Sequence, residues 1–113
     1  MLNKRVEEAI NAQINAEMWS AYLYLSMSAW FHANGNPGFA KWYEVQFKEE
    51  QDHAMILFKY ITSRGGVVKL EKIDTVPTEW ESTLNVVEET LKHEQKVTSL
   101  INALYKVAFE END

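Results

Sequence analysis

The chain has 113 residues, of which 17 are acidic, 11 basic and three histidine, for a net charge of −6. It has no cysteine, which excludes disulfides, thiolate nucleophiles and Cys-ligated zinc or iron–sulfur sites. No Lys/Arg run offers a footprint for a nucleic-acid backbone, and neither a secretory leader nor a membrane span is readable, so a cytoplasmic chain without nucleic-acid or membrane partners is the default expectation.

Residues 4 to 34 read as one long helix. Asn3 is placed to cap it, with Glu7 and Glu8 favourable in its first turns. Val6, Ile10, Ile14, Glu17, Ala21, Tyr24 or Leu25, and Ser28 recur at helical period and predict a core-facing stripe. The carboxylate of Glu17 interrupts that stripe. Gly35 after Asn34 is a stop signal, and Asn36-Pro37 opens the next helix. So short a turn makes the first two helices antiparallel neighbours.

The second helix is predicted over 38 to 65, with Phe39, Tyr43, Gln46, Glu50, His53, Leu57, Tyr60 and Arg64 on one line. Glu50 and His53 stand at i and i+3 on the same face. A buried carboxylate is costly unless compensated, and a metal ion compensates Glu-x-x-His directly. Without cysteine, the available ligands suit hard or borderline ions, iron and manganese among them. Counting from the Asn36 turn puts Glu17 about 19 residues back, and Glu50 and His53 about 14 and 17 forward, hence within roughly one or two helical turns of each other.

Gly65-Gly66 ends the second helix, and residues 67 to 80 show no helical period. Val67, Val68 and Leu70 suggest a short extended piece. So long a connector is explained if it crosses from one end of a bundle to the other, leaving the third helix parallel to the second. That helix starts near Thr78 or Ser82 and runs over 82 to 110, with Leu84, Val87, Leu91, Glu94, Thr98, Ile101, Tyr105 and Ala108 as its stripe. Glu94 interrupts it at the depth of Glu50. The fold expected is an all-α single domain over 1–113.

Three stretches now carry a resemblance: NAQINAEMWSAYLYLSMSAWF at 11–31, GFAKWYEVQFKEEQDHAMILFKYITSRGG at 38–66 and VEETLKHEQKVTSLINALYKVAFEE at 87–111. Together with VPTEWES in the connector, they are similar to the bacterial and archaeal non-haem ferritins. The resemblance covers essentially the whole chain. It implies a ferritin-like helical bundle with a long crossover between helices two and three; the family's fourth and fifth helices are absent from the sequence. It also implies iron storage with ferroxidase activity, in which two Fe(II) are oxidised by dioxygen to Fe(III) for mineral deposition.

By the same resemblance, Glu17, Glu50 and His53 bind one iron of a di-iron centre, and Glu50 bridges to a second iron held by Glu94. Glu49 matches a ligand of a third, transit site, and Tyr24 the tyrosine beside the pair. The remaining family ligands lie on the fourth helix and find no counterpart here. The methionine that would carry a haem is replaced by Asp52, so no haem is expected.

Plainer readings stand beside these. Glu50 and His53 suit a buried ion pair, Glu94 a surface glutamate paired with Lys92 or Lys96, Glu49 an open acidic face and Tyr24 ordinary core. His32 fits the last turn of its helix, where a cation is favoured; His93 is placed at the surface or behind the site, and Trp19 beside Tyr22 is read as a dimer surface. The alternative to an enzyme is a catalytically incomplete helical assembly or scaffold fragment, which binds iron weakly and self-associates as a small homo-oligomer without the family's shell.

Overall fold

Three side-chain caps set where the helices begin. Asn3, Asn36 and Ser82 each accept a hydrogen bond from the backbone N–H three residues on, at Val6, Phe39 and Asn85, which satisfies an otherwise orphaned donor. In the computed structural model, which describes residues 2–112, the helices are α1 (Lys4–Ala33), α2 (Pro37–Ser63) and α3 (Thr83–Glu110). The two end residues of the expected 1–113 domain therefore lie outside the described part.

Two of these helices end in the same way. Gly35 and Gly65 both take φ +73°, the left-handed region. The N–H of Asn36 reaches Phe31 O at 2.9 Å, and that of Gly66 reaches Ile61 O at 3.0 Å. A bond back across the last turn, with a left-handed glycine before it, is the Schellman end. The helix ends thus fall within one or two residues of the expected bounds.

All three helices belong to one all-α bundle, of the kind the resemblance implies. α1 lies between the other two, while α2 and α3 do not adjoin along their backbones. Arg5 pairs with Glu110 and Glu111 at one end of the bundle, and the Tyr24 hydroxyl meets Glu94 further along. α3 is therefore antiparallel to α1 and, as expected, parallel to α2. Residues 66 to 80 cross without helix or strand, so the extended piece foreseen at Val67 to Leu70 joins no sheet.

The core has two parts. Leu23, Tyr24, Met27, Phe31, Ala40, Tyr43 and Val86 fill one; Leu2, Val6, Ile10, Ile14, Ala54 and Ile61 fill the other. Between them along α1 sit Glu17 and Ser20, both buried, and Gln13 is buried one turn before Glu17.

Two expected stripes need correction. On α2 the buried line runs Ala40, Tyr43, Glu50, Ala54 and Ile61, while Phe39 and His53 are exposed. On α3, Val86 and Thr90 are buried, while Leu84, Val87, Leu91 and Tyr105 lie open, Tyr105 at 72 %. Apolar residues cover a wide arc of α3, and its packing against α1, with the Tyr43–Thr90 hydrogen bond of 2.7 Å to α2, uses only one edge of that arc.

The connector is strapped along α1 by a ladder of polar side chains. Glu7 accepts from Val67 N, Asn11 exchanges bonds with Val67 O and Lys69 N, and Asn15 donates to Lys72 O. Trp19 Nε1 donates to Thr75 O and Ser26 to Pro77 O. Trp19, half-buried, thus holds the strap with its indole N–H.

Candidate metal centre

The centre is built at mid-height of α1 and α2, where the two buried stripes are interrupted by acids. Glu17 is 2 % exposed and Glu50 5 %. Their carboxylates converge with His53, the third ligand atom in a set all within 4.8 Å of one another. His53 Nδ1 lies 3.8 Å from Glu17 Oε2 and 3.6 Å from Glu50 Oε2. His53 itself is exposed, so the set is reached from its imidazole side.

The same two oxygens, Glu17 Oε2 and Glu50 Oε2, are buried and accept from no N–H or hydroxyl donor; the one hydrogen bond open to them joins the two carboxyls and needs a proton there. Buried acceptors left unpaired are rare and costly. A cation supplies what they lack. Oxygen and imidazole ligands sit about 2.0–2.2 Å from a first-row metal such as zinc, and so lie up to roughly 4 Å apart around one ion. The observed spacing needs only a small closure, so the donor set fits one cation.

Electrostatics mark the same spot. Burial first, then a hydrogen bond and charge from Glu17, push the Glu50 carboxyl up to about 9, with Glu94 and Glu49 adding to the effect. Two carboxylates this close do not both ionise readily without a positive partner.

Glu94 and Glu49 stand apart from the three-atom set. Glu94 Oε1 accepts a hydrogen bond from the Tyr24 hydroxyl. Burial and then this bond keep Tyr24 protonated, far above the ordinary phenol range. Tyr24 is fully buried and Glu94 exposed, and the charges of Glu50 and Glu94 act on each other's neighbours, so the pair on α1 and α3 stands beside the Glu17–Glu50 cluster. The surface reading of Glu94 fails on one point: Lys92 pairs with Glu89, at 3.4 Å. Glu49 and Asp52 are exposed on α2. Among the described residues, Glu17, Glu50 and His53 form the one set of three or more ligand groups close enough to hold an ion.

Two neighbours flank the centre, of which Gln13 was not legible in the sequence and His93 was expected either at the surface or behind the site. Gln13 is buried and donates from Nε2 to Glu17 Oε1 at 3.0 Å; its position one turn before a stripe acid is the signal that marks it. His93 is half-buried rather than at the surface. Ser20 Oγ lies 3.0 Å from Ala16 O and 2.7 Å from His93 Nε2, with the tautomer of the ring deciding which atom donates in the second bond. Burial lowers the His93 pKa against the pull of Glu94, and Trp19 and Tyr24 flank the ring at 5.2 and 5.9 Å. His32 remains at the surface near Glu44, at 3.9 Å.

A profile of the ferritin-like domain matches residues 7–113. The chain belongs to the ferritin-like family. A bacterial non-heme ferritin of Bacteroides fragilis is 47 % identical over all 113 residues, which span 71 % of that relative. A probable bacterial non-heme ferritin-like protein of Haemophilus influenzae is 39 % identical, with the whole chain matching 68 % of it. The open pore ferritin of Archaeoglobus fulgidus superposes with a TM-score of 0.97 at 44 % identity, covering the whole chain and 70 % of its own. This ferritin-like chain has no described helix long and apolar enough to cross a membrane.

Proposed function

We propose that this chain is a ferritin-like iron-binding element that takes one Fe(II) at Glu17, Glu50 and His53 and completes its bundle by self-association. The observation that carries the reading is the pair of buried carboxylate oxygens that have no donor once both groups are ionised, facing an exposed imidazole. Iron is the ion of choice because the set is carboxylate-rich with one nitrogen and because the similar proteins are ferritins. His53 supplies the nitrogen, and Glu50 exchanges its proton for the cation.

Self-association is supported by the face left between α2 and α3. A groove of about 350 Å³ there is lined by Ile56, Leu57, Ile101, Leu104, Tyr105 and Ala108, and Ile56 is 65 % exposed. A second copy offers the same apolar face and suits it.

The fuller reading is iron storage with ferroxidase activity, in which two Fe(II) are oxidised to Fe(III) by dioxygen. The Tyr24–Glu94 pair favours it, because Glu94 lies close enough to raise the Glu50 pKa. In that reading Glu94 joins Glu50 at a second iron, Tyr24 holds Glu94 until it arrives, and Glu49 receives iron on the outer side. Further ligands must then come from outside residues 2–112. Mixing Fe(II) with the chain in air tests the two readings together. Binding with slow appearance of ferric absorbance supports the one-iron element. Rapid oxidation of two Fe(II) per chain supports the complete ferroxidase.

A further inference from the structure

We propose that Gln13 is a positioning residue that confines Glu17 to a single ligand oxygen and aims that oxygen into the centre before a cation arrives. The inference rests on the iron-binding reading above. Gln13 is 5 % exposed and lies on the buried stripe of α1 between Ile10 and Ile14. An amide there costs free energy unless it is hydrogen-bonded; a leucine would fill the same stripe without that cost. Its bond goes to Glu17 Oε1, at 3.0 Å. The other oxygen, Oε2, is the one without an N–H or hydroxyl donor, and it is the one that faces His53 Nδ1 at 3.8 Å.

The two oxygens of Glu17 therefore have separate duties. The i, i+4 amide takes Oε1 and fixes the carboxylate plane, because both side chains stand one above the other on the same helix. Oε2 is left as a terminal, one-oxygen ligand. Residues that orient a metal ligand through such a bond matter to affinity nearly as much as the ligands do.

Cobalt(II) tests the proposal without any oxidation, since its visible bands report coordination number. The chain and Gln13→Met, which keeps the volume and loses the donor, are titrated with cobalt(II), and each is checked by circular dichroism before metal is added. The expected result is binding weakened about 10-fold or more in a folded Gln13→Met chain, with altered band intensity at saturation because the freed carboxylate can offer both oxygens. Equal affinity and equal bands in the folded variant would overturn the proposal while leaving the metal centre intact. If Gln13→Met is unfolded, Gln13→Leu is read in its place; if both are unfolded, the amide serves packing and the proposal falls. No cobalt(II) binding by the unaltered chain would overturn the iron-binding reading together with this one.

Discussion

Glu50 is the residue on which the site's chemistry turns. Its pKa rises from 4.5 in the unfolded chain to about 9 in the fold, through burial first and Glu17 next. The folded chain therefore holds a proton that the unfolded chain has lost. The stability gained is fully present below about pH 4.5 and is lost as the pH rises through about 9, at a slope on the order of 1 kcal/mol per pH unit. Urea denaturation of the metal-free chain across this window should show that slope, and Glu50→Gln should flatten it; an equally steep slope in the variant would contradict the assignment. Cation binding displaces the same proton, so affinity should climb with pH over the same range. His53→Ala and Glu50→Ala should each weaken Fe(II) binding about 10-fold or more under anaerobic calorimetry, with Glu50 at least as severe because it is the buried carboxylate. Much of this was readable from residue types: Glu17, Glu50 and His53 follow from interrupted stripes and a short turn. Gln13 was not, since an amide on a stripe carries no charge to draw attention to it.

The helices were legible wherever a local signal sets them. Asn3, Asn36-Pro37, Gly35 and Gly65 act through their own backbone neighbours, and the ends fall within one or two residues of expectation. The rotation of α3 was not legible. Its sequence is apolar on both edges of a wide arc, and periodicity cannot say which edge meets α1; Val86 and Thr90 do, while Leu84, Leu91 and Tyr105 do not. The strap was equally hidden, because bonds from Asn11, Asn15 and Trp19 to a distant backbone leave no periodic trace beyond their four-residue spacing. Gly66 shows how tightly the strap departs from α2. A Cβ there would meet Glu7 Oε2 and Ile61 Cγ2, both at 2.9 Å, and Leu2 Cδ2 at 3.0 Å. Gly66→Ala should therefore destabilise the chain by about 1–3 kcal/mol, measured as a lower midpoint in thermal or urea unfolding. A midpoint equal to that of the unaltered chain would show that Leu2 and Glu7 yield freely. Asn11→Ala removes two strap bonds, at 3.0 and 2.8 Å, and should speed amide exchange at Lys69 while sparing the interior of α1.

At the scale of the whole molecule, the buried acids and the open apolar face belong to one arrangement. α1 supplies the wall that both other helices share, and the face between α2 and α3 is covered by neither. Sedimentation velocity at low micromolar concentration should find a small even-numbered oligomer, and a cooperatively folded monomer would contradict the groove as an interface. The metal centre, built on α1 and α2, needs no such partner for its first cation. Anaerobic calorimetric titration of the chain with Fe(II) tests that claim directly. The account predicts about one tight equivalent per chain, with release of a proton and loss of the signal in Glu50→Ala. Absence of binding, or a titration unchanged by Glu50→Ala, would contradict it.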